Sequence, residues 1–237
     1  MKENLIAAAN KYETTDFIAA DPVQFPHRYK EKSDIEIVGL LTALLSFGNR
    51  KQILAKANRL CEMMGASPTE YILRRRFERD FPQTDKSSFY RMVSYADFRG
   101  YMEKLHKVYS SCNSLETRLE DFPGTPMEKL CAFWEVSAKS PQKKINMFLR
   151  WMVRRNSPVD FGIWQSFSPD ELIIPLDTHV SQMAKEFGIT DKETYSLATA
   201  KAITRALGEA FPGDPVRGDF ALFGIGVEKA HPGASSL

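Results

Sequence analysis

The chain has 237 residues, of which 43% are hydrophobic and 26% are charged, and its formal net charge is +2. This composition is typical of a folded protein with one medium domain or two lobes; it excludes a disordered chain and only weakly indicates a polyanionic partner. The three cysteines lie far apart without a CxxC pair, which disfavours a disulfide framework, a structural zinc site and a four-cysteine iron–sulfur cluster.

The first strong helical pattern begins at Ser33-Asp34-Ile35-Glu36, where serine followed three residues later by glutamate predicts a capping box. This helix is apolar enough to form the core of the fold, with apolar residues at Ile37, Leu40, Leu41, Leu44 and Leu45. It ends at Phe47-Gly48-Asn49. A second helix, ended by Gly65, is predicted from Ile53, Leu54, Ala57, Leu60, Cys61 and Met64.

The rest of the chain is also predicted to be helical. Helical spacing or capping patterns predict helices near residues 68–76, 97–110, 126–136, 141–155, 177–187, 194–210 and 216–224. No strand pattern of comparable length occurs, so the predicted fold class is all-α. Between Asn156 and Leu176 we expect an irregular connection with one turn of helix after Ser168.

Four predicted helices begin with Ser-Pro or Thr-Pro, which places proline at the first helical position, where its missing N–H costs nothing. Three of them carry glutamate at the third helical position, as capping boxes prefer: they start at Ser67-Pro68, Thr125-Pro126 and Ser168-Pro169. The fourth, Ser140-Pro141-Gln142-Lys143, carries lysine there. A cation in the first turn opposes the helix dipole at a cost of about 0.3–1 kcal/mol, so this choice suggests a chemical role.

The stretch from Val136 to Val159 contains no acidic residue. Its basic residues are Lys139, Lys143, Lys144, Arg150, Arg154 and Arg155. One interpretation is a solvated basic helix face, which is the usual explanation of such a run. The other is contact with a phosphate backbone, because lysine, arginine and the N–H groups at a helix start all suit phosphate. The charge pattern by itself favours neither.

Lys143 has two possible roles at this helix start. The positive helix end and the neighbouring Lys144 both disfavour the ammonium form of Lys143, so we expect it to be available as an amine. Such an amine can act as a nucleophile and form a Schiff base, for example at the C1′ atom of a sugar. The alternative is that Lys143 and Lys144 simply hold phosphate as charged groups.

Asp177 stands where the apolar run 172–176 ends and an amphipathic helix begins. The helical spacing of Val180, Met183, Ala184 and Phe187 after it predicts that Asp177 is the N-cap, whose carboxylate accepts backbone N–H bonds. The segment before Asp177 is unusually apolar for a cap, and His179 follows two residues later, so a catalytic role of Asp177 stays open.

These features together resemble the helix-hairpin-helix DNA glycosylase superfamily of endonuclease III and 8-oxoguanine DNA glycosylase. The chain is most similar to a bacterial branch of it. The most specific stretch is Asp177-Thr178-His179; the stretches 40–46 and 219–224 are similar to an early core helix and to the closing helix of the superfamily. The similarity runs from about Asp34 to Gly226.

The resemblance implies a single glycosylase-like domain over residues 1–237 with an all-α, two-lobed fold. Helices from about 50–150 would form one lobe, the N- and C-terminal helices the other, and the active site would lie between them. It also implies that Lys143 is the Schiff-base lysine, with Lys144 as the alternative, and that Asp177 is the catalytic aspartate. Asn49, Lys139, Lys144 and His179 would contact DNA, and Trp164 would line the base pocket.

The implied function is excision of a damaged base, such as an oxidised one, with β-elimination at the abasic site. The partner would be double-stranded DNA carrying a damaged base or an abasic site. The protein would be a monomer without a metal or organic cofactor. No signal-peptide pattern and no apolar run of about 18 residues occurs, so we expect a cytoplasmic location and no membrane.

The sequence also departs from the superfamily pattern. The Gly-x-Gly turn of the hairpin, which binds phosphate in such enzymes, is replaced by the glycine-free segment 137–141. An insertion around Gly162-Ile163-Trp164 lengthens the spacing between Lys143 and Asp177. Two other functions therefore stay open: a non-catalytic DNA-binding protein on the same fold, and a helical protein-interaction module in which Asp177 is only a cap.

Overall fold

A computed structural model describes residues 1–191 and 194–230. This part of the chain is mostly helical, as the sequence predicts. In chain order the elements are α1 (Lys2–Tyr12), α2 (Thr15–Ala20), α3 (Lys32–Leu45), α4 (Arg50–Met64), α5 (Pro68–Leu73), α6 (Phe77–Asp80), β1 (Ser88–Tyr90), β2 (Val93–Ser94), α7 (Tyr95–Tyr109), α8 (Leu115–Leu119), α9 (Pro126–Trp134), α10 (Lys143–Val153), α11 (Thr178–Glu186), α12 (Leu197–Ala210) and α13 (Gly218–Ala230).

The chain forms two compact units. The middle unit is Pro22–Asp121, and the terminal unit combines Met1–Asp21 with Phe122–Leu237. The middle unit therefore begins and ends earlier than the lobe predicted over 50–150. The reason is packing: α3 packs against α4 and α5, whereas α10 packs against α9 and binds α13 through buried side chains.

Several short elements escaped the sequence patterns. The antiparallel pair β1–β2 and the one-turn helix α6 are too short for a periodic signal, although Phe89 and Phe77 within them are buried. Helix α1 buries Leu5, Ala8 and Ala9 against α13. Two of these three residues are alanine, so the apolar face of α1 is weakly marked in the sequence.

The capping box predicted at Ser33 is wrong. Helix α3 already begins at Lys32, and the two acidic residues of the pattern bind other helices instead. The Asp34 carboxylate accepts hydrogen bonds from the backbone N–H and the hydroxyl of Thr69 in α5, at 2.7 and 2.6 Å. Glu36 is fully buried and accepts from Tyr109 and Ser114 hydroxyls at 2.8 and 2.7 Å. These carboxylates hold α3 in the core of the middle unit.

Three of the four proline-containing starts are confirmed. Ser67 accepts a hydrogen bond from the Glu70 N–H at 3.3 Å. Thr125 and Glu128 form a reciprocal capping box at α9. At Ser168 the backbone N–H donates to the Glu171 carboxylate at 2.8 Å, and the predicted single turn follows at Pro169–Glu171.

The fourth start, at Ser140-Pro141, is wrong. Helix α10 begins at Lys143, so Lys143 is its first residue and not its third, and Gln142 is the N-cap, with φ 44°. The α9–α10 loop also leaves α9 through a left-handed residue, Glu135, with φ 59°. The Gln142 side-chain amide closes the loop by donating to the Ser137 carbonyl at 2.6 Å. Left-handed non-glycine residues thus build this glycine-free hairpin, at about 1–2 kcal/mol each.

The irregular connection between α10 and α11 is confirmed and turns back onto the end of α10. The Trp164 N–H donates to the Met152 carbonyl at 2.9 Å. Gly162 sits at this turn with φ +58°, and a Cβ atom there would lie 2.7 Å from the Arg154 carbonyl oxygen. The turn therefore requires glycine for both backbone conformation and space.

We expect Gly162→Ala to destabilise the protein by about 2–5 kcal/mol, since left-handed strain adds to overpacking. Gly188→Ala is the matched control, because Gly188 also has a positive φ, of +64°, but a Cβ atom added there would have nothing within 4 Å. The control should cost only about 1–2 kcal/mol. Equilibrium urea unfolding measures both, and equal losses would contradict the steric argument.

Candidate functional site

Lys143 begins α10, the most strongly amphipathic helix of the site. The predicted apolar face of α10 is buried: Ile145, Phe148, Leu149 and Met152 have exposed fractions of 3% or less. The Asn146 side-chain amide donates to the Pro141 carbonyl at 2.9 Å and ties the helix start to the preceding loop. These contacts leave Lys143 at a fixed helix end with a part-exposed side chain.

Asp177 is the N-cap of α11, as predicted. Its Oδ1 atom accepts a hydrogen bond from the Val180 N–H at 2.9 Å. The apolar approach, residues 172–176, is buried throughout, and the Ile174 N–H donates to the Thr204 hydroxyl of α12 at 3.0 Å. The unusual apolar segment before the cap is therefore a buried strap that fixes where Asp177 stands.

Lys143 and Asp177 form an ion pair. The distance between Lys143 Nζ and Asp177 Oδ2 is 3.0 Å, and the exposed fractions of the two side chains are 31% and 19%. Asp177 uses one carboxylate oxygen for the helix cap and the other for the lysine. The cap and the ion pair thus coexist on one side chain, and a potential nucleophile lies next to a potential base.

Arg150 and Arg154 do not belong to a basic surface. Their exposed fractions are 5% and 1%, so both interpretations of the basic run, a solvated face and a phosphate contact, are wrong for these two residues. Arg150 pairs with Asp219 of α13 and with Asp160; the Nε atom of Arg150 lies 3.4 Å from the nearer oxygen of Asp160. The sequence did not indicate these pairs, because Asp160 lies just outside the acid-free stretch and Asp219 lies far along the chain.

Arg154 extends the same set of buried ion pairs. It binds Asp160, Glu13 at the C-terminal cap of α1, and Asp214, the last two at 2.8 Å. Arg217 in turn donates to Glu13 at 2.7 Å. We call these residues, with Arg150 and Asp219, the buried ion network of the terminal unit.

Burial strongly affects the carboxylates of this network. Burial raises the pKa of Asp219 to about 6; Asp177 contributes to the rise, while Arg150 and Lys143 oppose it. Burial also raises the pKa of Asp160, against the lowering effect of the two arginines. Arg150, which binds Asp219, therefore opposes the effect of burial on this carboxyl group.

Tyr195 is a residue near the pair that sequence analysis missed. It directly precedes Ser196, the N-cap of α12, and 55% of it is exposed. Its pKa is raised, first by partial burial of the phenol and further by Asp177, with Lys143 acting in the opposite direction. No motif links Tyr195 to Asp177 in the sequence; only folding brings the phenol within electrostatic range of the pair.

The predicted DNA contacts of the terminal unit are accessible to different degrees. Lys139, in the α9–α10 loop, and His179, in the first turn of α11, are exposed. Lys144 is half-buried, and burial lowers its pKa. His179 lines a surface pocket between α11 and α13 together with Met183 and Gly226. Asn49 belongs to the middle unit, where it is the N-cap of α4 and accepts from the Gln52 N–H at 3.2 Å.

The prediction that Trp164 lines a base pocket is wrong. Trp164 is fully buried and packs edge-on against Phe148, with ring centroids 5.4 Å apart. Phe167 packs on it at 5.8 Å. The segment around Trp164 therefore supplies core and no exposed ring at this position. Trp151 is fully buried as well.

Two further findings concern the described residues alone. None of their helices has the length and apolarity that crossing a membrane requires. No group of three or more His, Cys, Asp or Glu side chains among them could hold a metal ion.

Comparison with protein families gives one match. The model of the family described as a protein of unknown function, DUF2400, matches residues 21–228. Comparisons with curated proteins and with solved structures gave no match.

The two roles of Asp177 can be separated by substitution. Asn caps a helix as well as Asp does but carries no charge, whereas Ala loses the cap as well, at about 1 kcal/mol. We therefore expect Asp177→Ala to be less stable than Asp177→Asn by about 1 kcal/mol in equilibrium urea unfolding. Equal stabilities of the two variants would show that the cap contributes nothing.

Proposed function

This chain belongs to the DUF2400 family, whose description assigns no activity, and we propose that it is a DNA glycosylase with AP lyase activity. Its substrate would be double-stranded DNA with a damaged base, such as an oxidised one, or with an abasic site. The observation that carries the proposal is the ion pair between Lys143 Nζ and Asp177 Oδ2 at 3.0 Å. A lysine beside a carboxylate suits Schiff-base chemistry, because an adjacent base can activate the amine as a nucleophile.

Base excision would proceed by displacement at C1′. Asp177 accepts a proton from the Lys143 ammonium, and the resulting amine attacks C1′ of the damaged nucleotide. The bond between C1′ and the base nitrogen breaks, and the base leaves with that electron pair and takes up the proton held by Asp177. Positive charge develops on the sugar as this bond breaks, and the Asp177 carboxylate restored by the proton transfer stabilises it.

Strand cleavage would follow from the covalent intermediate. The C1′–O4′ bond opens as the lysine nitrogen forms a protonated imine with C1′, and O4′ takes up the proton that the nitrogen loses. A base removes a proton from C2′, the electron pair forms the C2′–C3′ double bond, and the 3′ phosphate leaves with the electrons of the C3′–O bond. Asp177, whose carboxylate pairs with Lys143, would act as that base.

Features around the pair support binding of a phosphate backbone. Exposed Lys139 lies in the loop that leads to Lys143, and Lys144 follows it. The backbone N–H groups at the starts of α10 and α11 add partial positive charge, which suits phosphate. Although the α9–α10 loop contains no glycine, it carries the cation Lys139 and leads to the start of α10, and a phosphate can bind to both.

Borohydride trapping tests the chemistry, since hydride reduces the imine to a stable amine that links protein to DNA. On duplexes carrying oxidised bases or an abasic site, we expect Lys143→Ala and Lys143→Arg to reduce the adduct by about 10²-fold or more. Lys144→Ala is the matched control and should retain it. Because arginine keeps the charge, Lys143→Arg should still bind DNA, which separates chemistry from binding.

The other outcomes identify the alternative functions. Salt-dependent DNA binding without an adduct on any of these duplexes would indicate a non-catalytic DNA-binding protein. Absence of salt-dependent DNA binding would indicate a protein-interaction module. Loss of the adduct in Lys144→Ala but not in Lys143→Ala would assign the nucleophile to Lys144.

Tyr195 offers a second test of the site. Its exposed ring lies within electrostatic range of the pair and provides a face on which an extruded base can stack. Stacking contributes about 1–3 kcal/mol per base, so Tyr195→Ala should slow single-turnover base excision about 5–100-fold, while Tyr195→Phe retains the rate. Cleavage at a preformed abasic site, which has no base, should be unchanged in both variants; an equal loss there would contradict a stacking role.

A further inference from the structure

Thr204 of α12 contacts the buried strap, residues 172–176, through a hydrogen bond. Its hydroxyl oxygen accepts from the Ile174 N–H at 3.0 Å, and the hydroxyl itself donates to the Ala200 carbonyl at 2.7 Å. Only 8% of Thr204 is exposed, and Ile174 is fully buried. Because a buried backbone N–H needs a partner, the strap depends on this hydroxyl for one of its hydrogen bonds.

The strap between Ile174 and Asp177 is short and stiff. The Leu176 N–H donates to the Ile174 carbonyl at 2.7 Å, which closes a three-residue turn with Pro175 at its centre. The proline ring restricts the backbone to a φ value that suits such a turn. Ile174 and Leu176 are both fully buried, so packing holds the two ends of the turn. The position of Ile174 therefore determines where the Asp177 carboxylate stands.

Helix α12 is a rigid support for this contact. Leu207, on the same buried face as Thr204, packs so tightly on Gly218 at the start of α13 that an added Cβ atom would lie 2.6 Å from it. The Thr204 hydroxyl is also fixed in direction. It donates to Ala200, which leaves its lone pairs for the Ile174 N–H. A packed helix thus presents a single oriented acceptor to the strap.

We propose that Thr204 is a positioning residue of the Lys143–Asp177 site. Its hydroxyl fixes the strap and thereby keeps the Asp177 carboxylate in contact with both the Val180 N–H and Lys143. The catalytic part of this inference rests on the proposed function. The positional part does not, because it is a property of the folded protein without DNA.

Amide hydrogen exchange measures the positional part. Thr204→Val keeps the branched shape of the side chain but leaves the Ile174 N–H without its acceptor. We expect faster exchange at Ile174 and also at Val180, whose N–H the displaced Asp177 no longer holds. The increase at Val180 should be about 5-fold, which corresponds to the loss of one helix cap. Faster exchange at Ile174 with an unchanged rate at Val180 would overturn the proposal.

Two further variants separate the hydroxyl from general destabilisation. Thr204→Ser keeps the hydroxyl and should restore slow exchange at Val180. Ile203→Ala removes core volume from the next position of α12, which is fully buried, but takes away no hydrogen-bonding group. Its Val180 exchange should stay close to that of the wild-type protein under conditions where all variants are folded. An increase as large as in Thr204→Val would overturn the proposal.

The wild-type protein provides a test that does not depend on whether Thr204→Val folds. If Thr204 ties the strap to the cap, the Ile174 and Val180 N–H groups become exposed in one common opening. Their exchange rates should then respond to low concentrations of urea with the same slope, as members of one cooperative unit do. Different slopes for the two amides would show that the strap and the cap open independently.

The catalytic part is measured by the rate of borohydride-trapped adduct formation on a duplex that carries an abasic site. At saturating DNA we expect Thr204→Val to slow this step about 10–100-fold with unchanged DNA affinity, because a displaced Asp177 carboxylate misaligns the chemistry and not the binding. Thr204→Ser should recover the rate, and Ile203→Ala should retain it. A merely structural role predicts equal losses in Thr204→Val and Ile203→Ala, and that result would overturn the assignment.

The two kinds of measurement separate the two claims. A common opening of Ile174 and Val180 without any trapped adduct would support the positioning by Thr204 and count against the proposed function. An adduct that depends on Lys143 and forms at an unchanged rate in Thr204→Val would support the function and overturn the role of Thr204.

Discussion

Two buried arginines at the C-terminal end of one helix constrain the terminal unit. Arg150 of α10 and Arg154, which directly follows α10, bind carboxylates from the residue after α1, from the connection after α10 and from the start of α13. A guanidinium does not lose its proton in a protein, so each carboxylate must be present to balance it. Leaving such a charge without its partner costs about 3–5 kcal/mol, which makes these pairs a strong constraint on which segments meet. The candidate site forms at the N-terminal end of the same helix, α10.

The site illustrates how one residue serves folding and chemistry together. Asp177 stabilises α11 through one oxygen and holds Lys143 with the other. The buried strap before it fixes the cap in space, and Gly162 allows the connection to turn back on α10. The carboxylate that caps the start of α11 thus also contacts Lys143.

Sequence analysis identified what depends on local order. The all-α class, the cap at Asp177, the end of α4 at Gly65 and the capping box at Thr125 all follow from neighbours within one or two turns. The predictions were wrong where residues distant in sequence decide the contacts. Asp34 and Glu36 were predicted to belong to a helix cap but bind other helices. Trp164 was predicted to line a pocket but packs in the core. The start of α10 was misplaced because Gln142 adopts a left-handed conformation that glutamine rarely takes.

By itself, the sequence determined the longer helices with a clear apolar period and the aspartate at the start of α11, and it singled out the lysine near the start of α10. Periodicity and capping are short-range effects, so they can be read along the chain. Only the tertiary structure decided that Lys143 meets Asp177, that Arg150 and Arg154 are buried ions, and that Arg150 pairs with Asp219. The side chains in these contacts are distant in sequence, and they become neighbours only when the apolar faces of the helices pack.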